Sequence, residues 1–440
     1  MMLEMLTLAL VILVPFLRTP VHVTSPFGYI CAFVGFMFVG KYFYNLWLGV
    51  PFLESVDPEE LASHFWQMSA YLAIAFAFAL PFCNPRRRTA RIETQESQHG
   101  FAVTTPALLL LILLPICLVL LGLHFGQNPV SNPLAFRQFI QSQGMFYLLS
   151  IYIFLLGAIS IYLPYTIITE RRFPSLLVLL AYAVSAGFAV ISGFASMIVS
   201  MVTVPLFFWS VCYRRRIELG LAILLPVVVV FAVLYSAYRD VNLSGSGASI
   251  SDAVRVVSEN PEAAKNLLNR FDYLEGYAKA QRYLATQDPD WGASLLGVLM
   301  QPVPRAVWPE KPDNFSTSMT RELLPENLAI GVTANFNSLN EFVKAFGAMG
   351  ILIGGLVLAV VLIVTYCVFD AAAGKPYLSA YYVLVLFKYF QMGFYAGFVN
   401  DLALPSLVLE NIFFQLFIRN CPIGFSVAVR VHGGTQVPAR

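Results

Sequence analysis

The chain has 440 residues, of which 58% are hydrophobic and only 12% charged, against roughly 25% charged in a soluble globular domain. That length could enclose a large core, but a mean hydropathy of +0.72 leaves too little polar surface to cover it, which excludes an ordinary soluble enzyme and makes lipid the expected solvent. With 27 Lys+Arg, 25 Asp+Glu and a net charge of +2, the overall balance gives no basis for nucleic-acid binding, and only the distribution of charge is informative.

Crossing a hydrocarbon core of about 30 Å takes about 20 predominantly apolar residues. Eleven runs bounded by charge or turn residues qualify, at approximately 3–17, 25–44, 66–83, 105–123, 145–168, 174–191, 196–212, 219–238, 342–369, 377–398 and 402–418. The first is the shortest. It lacks a basic n-region and a small-residue cleavage site, so it reads as an anchor and not as a signal peptide.

Basic loops stay on the cytoplasmic side, so the Lys and Arg between spans set the orientation. One set of connections, from Arg18 through Arg86, Arg87, Arg88, Arg91, Arg171, Arg172, Arg214, Arg215, Arg216 and Lys375 to Arg419, Arg430 and Arg440, carries 14 basic residues against 5 acidic ones. The opposite set holds the acidic loop with Glu54, Asp57, Glu59 and Glu60, a short loop with Arg137, and a segment from Arg239 to Glu341 with 9 basic and 13 acidic residues. The long segment is therefore assigned to the outside. This divides the chain into membrane helices over 1–238, an outer loop over 239–341, three further membrane helices over 342–418 and a cytoplasmic tail over 419–440.

All six cysteines fall within spans or at cytoplasmic ends, which implies no disulfide framework, and none has a zinc-site spacing. No phosphate-binding G-x-x-x-x-G-K-[ST] and no strand-borne G-x-G-x-x-G is present.

About 100 residues between two spans is far beyond an ordinary connection and points to function or disorder; composition argues against disorder. Asn260 reads as an N-cap, with Pro261 in the first turn and Glu262 suited to the helix dipole. Ala264, Leu267, Phe271, Leu274 and Ala278 then recur at helical steps, flanked by Arg270, Tyr277 and Gln281 on one side and by Glu275 and Arg282 on the other. Such a stripe either lies on a membrane surface or packs on other outer elements.

Farther on, Pro302, Pro304, Pro309 and Pro312 stiffen the backbone around Arg305, Trp308 and Lys311. A guanidinium on a restrained backbone loses less entropy on engaging a phosphate, and its planar fork reaches two oxygens at once. Trp308 is then either a stacking platform for a sugar face or an anchor at the lipid interface. Arg321, Asn335, Asn337 and Asn340 lead to Glu341; amides suit polyhydroxyl ligands but equally cap helices and fill turns. Glu341 sits at the mouth of a span beside Lys344, as a base, an Arg partner or a favourable charge at a helix N-terminus.

Two charges lie deep in spans. Lys388 is 12 residues before, and Glu410 is 10 residues after, the turn at Asn400 and Asp401, depths of about 18 and 15 Å at about 1.5 Å per residue. Unpaired charges there cost several kcal/mol, so an interhelical salt bridge is expected, with a proton or lipid-phosphate site as the functional alternative.

The string Val303-Pro304-Arg305-Ala306-Val307-Trp308-Pro309-Glu310-Lys311-Pro312 closely resembles the I-P-R-x-x-W-P-x-K-P signature of bacterial Wzy-type oligosaccharide repeat-unit polymerases, the O-antigen polymerase family. Arg270-Phe271-Asp272 upstream, and Glu341-Phe342 with Phe346-Gly347 and Gly350 downstream, are similar to family features in the same order, so the resemblance covers roughly residues 265–355. One feature departs from it: the outer turn Ser192-Gly193-Phe194-Ala195 lacks the Arg that many such polymerases carry there, which leaves Arg239 as a substitute.

The resemblance implies an all-α, polytopic inner-membrane bundle of about 11 transmembrane helices, GT-C-like, with one large, partly helical periplasmic loop. It also implies polymerisation of undecaprenyl-diphosphate-linked repeat units on the periplasmic face, without metal, nucleotide or other cofactor, with a chain-length regulator as partner. Fixed cations would stabilise charge growing on the departing diphosphate, for which Arg270, Arg305 and Lys311 are the candidates. Glu341 and Asp272 are candidates for the base. An O-antigen ligase is a close variant. A flippase would show internal repeats and interrupted helices, and no convincing repeat is present.

Overall fold

A computed structural model describes residues 2–18, 24–43, 58–83, 102–130, 135–136, 139–140, 146–168, 170–191, 195–213, 255, 273–295, 308, 310, 315–325, 336–372, 379, 382–383 and 418–419. Helix α1 is Met2–Arg18. Helix α2, Pro26–Val34, starts where a capping sequence places it: the Ser25 hydroxyl accepts the Gly28 N–H at 3.1 Å, and Pro26 occupies a first turn that needs no amide donor. It runs into a π-helical turn, Gly35–Gly40, and continues to Phe43.

Helix α3 is Pro58–Ala79, so it begins eight residues before the expected 66–83 span. Pro58 suits a first turn, and Glu59 and Glu60 complement the positive end of the dipole. The acidic loop is thus partly helix. After a two-residue strand β1, Ala102–Val103, four apolar helices follow: α4 Thr105–His124, α5 Phe146–Ile168, α6 Leu176–Ile191 and α7 Ala195–Tyr213. These coincide with the expected spans to within two residues.

In the long segment before the ninth expected span α8 is Tyr273–Leu284 and α9 is Phe315–Leu323. The expected 342–369 span is two helices, α10 Ser338–Phe346 and α11 Met349–Ala372. The break falls at Gly347, whose φ of +58° is open to glycine at little cost and whose N–H bonds the Val343 carbonyl at 2.7 Å. Strand β2, Ile418–Arg419, pairs antiparallel with β1, Ala102 opposite Arg419 and Val103 opposite Ile418. Both segments carry the same side in the charge alternation.

Three described helices are long and apolar enough to cross a membrane: Pro26–Phe43, Thr105–His124 and Met349–Ala372. Spans 219–238 and most of 377–398 and 402–418, the Lys388 and Glu410 pair, the helix start at Asn260 and Cys421 lie outside the described residues. The five described cysteines are free.

Helix α3 lies between α1 and α11, with α2 alongside, while α4 to α7 pack among themselves. The two groups meet where α7 touches α11, where Thr24 and Ser210 hydroxyls approach to 3.2 Å, and where the Tyr29 and Phe207 rings stand 5.7 Å apart. Glycines set the closeness of the α3–α11 contact. A methyl at Gly354 would stand 2.7 Å from the Phe342 ring and 2.9 Å from Tyr71, and one at Gly355 would stand 2.9 Å from Ile74. Small residues of this kind let membrane helices approach where no hydrophobic effect drives them together. Helices α8 and α9 have their own small core with Phe336, built from Ala280, Leu284, Phe315 and Met319.

Candidate functional site

Helix α8 packs on α3, on the π-helical turn and on α10. Its buried face is Tyr277, Ala278, Ala280, Gln281 and Leu284, so the flank expected beside the apolar stripe is as deeply packed as Ala278. Of the two settings open to the stripe, packing against protein is the one taken by residues 276–284. Tyr277 stands edge-on to Phe38 of the π-turn at 5.7 Å and to His64 of α3 at 5.1 Å. At the rim the Arg282 guanidinium holds the Glu60 carboxylate, Nη2 to Oε2 at 2.7 Å.

Beneath α8, the first turn of α10 is held from three sides. Asn337 is the N-cap, its Oδ1 accepting the Leu339 N–H at 3.1 Å. Toward α3, the Ser338 hydroxyl lies 2.9 Å from Tyr71 Oη, and Asn337 Nδ2 reaches Met68 Sδ at 3.9 Å. Toward α8, Asn340 takes a hydrogen bond from Gln281 at 2.5 Å and donates to the Tyr277 carbonyl at 3.4 Å. Toward α11, Phe342 is buried against Gly350 and Gly354. The duller roles of amides, capping and bridging, are those taken by Asn337 and Asn340.

Glu341 sits inside this frame with 2% of its surface exposed, and its Oε1 has no hydrogen-bond partner. Burial pushes its carboxyl up from the ordinary 4.5 to about 8, the Lys344 ammonium opposing the shift and the Asp290 carboxylate adding to it. Asp290 is itself anchored: its backbone N–H reaches the Lys344 carbonyl at 3.1 Å, and its oxygens accept from the Gly292 and Ser294 amides at 3.1 and 3.2 Å. A carboxyl held protonated near neutral pH, yet able to ionise, suits proton transfer.

His64, just before the 66–83 span, is held neutral. Burial is the main cause of a drop to about 4, which Glu60 and the Ala278 carbonyl counter and Arg282 reinforces.

No known family, curated protein or solved structure matches the chain.

Of the residues singled out in the sequence, Glu341 lies in this polar frame, and Trp308 is 37% exposed. Arg239, Arg270, Asp272, Arg305 and Lys311 lie outside the described residues. Among the described residues no group of His, Cys, Asp or Glu is arranged to hold a metal ion. Sequence reading missed Tyr71, His64, Ser338 and Asp290. The available signal was on α3, where His64, Met68 and Tyr71 recur at helical steps on one face of an otherwise apolar helix.

Proposed function

We propose that this chain is a membrane glycosyltransferase of the Wzy type, which polymerises oligosaccharide units carried on undecaprenyl diphosphate at the periplasmic face of a bacterial inner membrane, within a GT-C-like bundle of about 11 spans. The observation that carries the reading is Glu341: a buried carboxyl, pushed up to about 8, at the helix start that follows the Pro-Arg-to-Lys-Pro string. The string and the carboxyl supply the two things the reaction needs, cations for the leaving group and a base for the acceptor.

In this mechanism a hydroxyl oxygen of the lipid-linked acceptor unit attacks the anomeric carbon of the donor chain. The bond from that carbon to the diphosphate oxygen breaks, its electron pair leaving with the lipid diphosphate. The hydroxyl proton passes to the ionised Glu341 carboxylate, with Asp272 as the second candidate. Arg270, Arg305 and Lys311 stabilise the growing charge on the diphosphate, Arg239 stands in for the absent turn arginine, and Trp308 stacks on a sugar face. The raised pKa makes Glu341 a stronger base than an ordinary carboxylate once ionised.

Purified protein in detergent, supplied with undecaprenyl-diphosphate-linked repeat units, is expected to yield a ladder of longer glycans, and Glu341→Gln to lose it. Transfer to a lipid A core acceptor without a ladder would instead make the protein a ligase. Movement of the lipid-linked unit across vesicles without chain growth would make it a flippase.

A further inference from the structure

The turn that carries Glu341 is tied to its surroundings at Asn337, Ser338 and Asn340. Ser338 Oγ lies 3.3 Å from Asn337 Oδ1, an oxygen that can only accept, so the serine donates there. The 2.9 Å contact between Ser338 Oγ and Tyr71 Oη must then run from the tyrosine. The result is a directed chain, Tyr71 O–H to Ser338 O–H to the Asn337 carbonyl oxygen, which also accepts the Leu339 amide. Asn340 is spent on α8, and the Phe342 backbone is pressed on Gly350, where a methyl would come within 2.1 Å of the Phe342 carbonyl oxygen. Glu341 stands between two immobilised neighbours, and Glu341 Oε1 is the buried oxygen that this network leaves without a partner.

A buried polar atom without a partner costs roughly 1–3 kcal/mol, and a turn that commits the Ser338 and Asn340 side chains on either side of Glu341 while sparing this oxygen holds it for another role. Ser338 and Glu341 are three positions apart on α10, side by side on one face of the helix. Removing the donor at the far end of the chain therefore loosens the turn that sets the depth of the carboxyl.

We infer that Tyr71, acting through Ser338, is a positioning residue for Glu341: it locks the first turn of α10 to α3 and so fixes the placement and water exclusion of the carboxyl. This deepens the polymerase reading and rests on it for the rate consequence alone. Other groups bear on the same carboxyl, Asp290 from the loop after α8 and Lys344 on α10 itself, and both remain when Tyr71 is changed. Tyr71 interacts electrostatically with Tyr277 on α8, whose ring stands against His64 of α3.

The test measures Glu341 directly in the full-length protein. A hydrophobic carbodiimide reacts with buried carboxyls in their protonated form, and peptide mass mapping of Glu341 adducts across pH gives the midpoint of its ionisation with no reference to catalysis. Tyr71→Phe keeps the ring against Gly354 and removes only the donor. It should move the midpoint toward lower pH by at least half a unit, as water gains the carboxyl, and lower the polymerisation kcat about tenfold with KM changed less than twofold. Ser338→Ala removes the same bond from the other side without touching the aromatic packing, should move the midpoint in the same direction, and replaces Tyr71→Phe if that variant fails to fold. A midpoint identical to wild type in a folded variant overturns the positioning role whatever the rate does. A wild-type protein that builds no ladder overturns the polymerase reading and leaves the labelling result to stand or fall by itself.

Discussion

Arg282 closes on Glu60 across 222 positions of sequence, its Nε reaching both carboxylate oxygens at 3.1 and 3.2 Å and its Nη2 reaching Oε2 at 2.7 Å. The contact ties helix α8 to the first turn of α3, two segments that charge distribution places on the same side. Both side chains are well exposed, so the bridge is worth about 0.2–1 kcal/mol in global stability; its consequence is local. Arg282→Glu should raise amide hydrogen exchange across 276–284 with little change in melting temperature, and the double swap with Glu60→Arg should restore protection. Unchanged exchange in the single variant would show that α8 is held by its buried face, including the Gln281–Asn340 bond, without help from the rim.

The α10–α11 contact predicts a larger effect. At Gly350 an added methyl meets backbone, the Phe342 carbonyl oxygen at 2.1 Å and carbon at 2.4 Å, so a helix must move. Gly350→Ala should cost about 1–3 kcal/mol, the usual range for forced overpacking, and lower the melting temperature in detergent. Gly187→Ala, where an added methyl meets nothing within 4 Å, is the control and should melt with wild type.

Glu341 gives stability a pH dependence of known sign. Its pKa is raised from 4.5 to about 8, so between those values the folded chain keeps a proton that the unfolded chain releases. Stability from this group is full below about 4.5, falls as pH rises, and is gone above about 8. His64 works in the other direction: lowered from 6.5 to about 4, it contributes above about 6.5 and loses that contribution as pH falls toward 4. Glu341→Gln stays neutral throughout, so it should melt higher than wild type at about pH 8.5 and converge with it below about pH 5. Parallel melting curves across the whole range would contradict the raised pKa.

The same shift sets the activity profile. If the ionised carboxylate is the base, polymerisation kcat/KM should rise about tenfold per pH unit up to a midpoint near 8 and then level. A flat profile between pH 6 and 8 would assign the proton to another group.

Arg305→Ala should abolish the glycan ladder while leaving the melting temperature unchanged, and Arg305→Lys should restore little, because an ammonium cannot reproduce a two-point contact with a diphosphate. Full activity in Arg305→Ala would remove it from the site.

Composition and periodicity determined much by themselves. A chain this poor in charge carries helices long and apolar enough to cross a membrane, and α4 to α7 appear within two residues of where uninterrupted apolar runs put them. Glu341 was also legible, as an acid at a span mouth within a resemblance covering roughly residues 265–355. Local sequence was less able to fix where a polar helix end begins or a long run breaks: α3 starts inside the acidic loop, and Gly347 divides the ninth run, both decided by capping and backbone conformation. What only the tertiary structure decided is the company that Glu341 keeps. Tyr71, Gln281 and Asp290 reach its turn from three separate segments, and since burial and proton affinity depend on distances through space, no pattern along the chain could have set them.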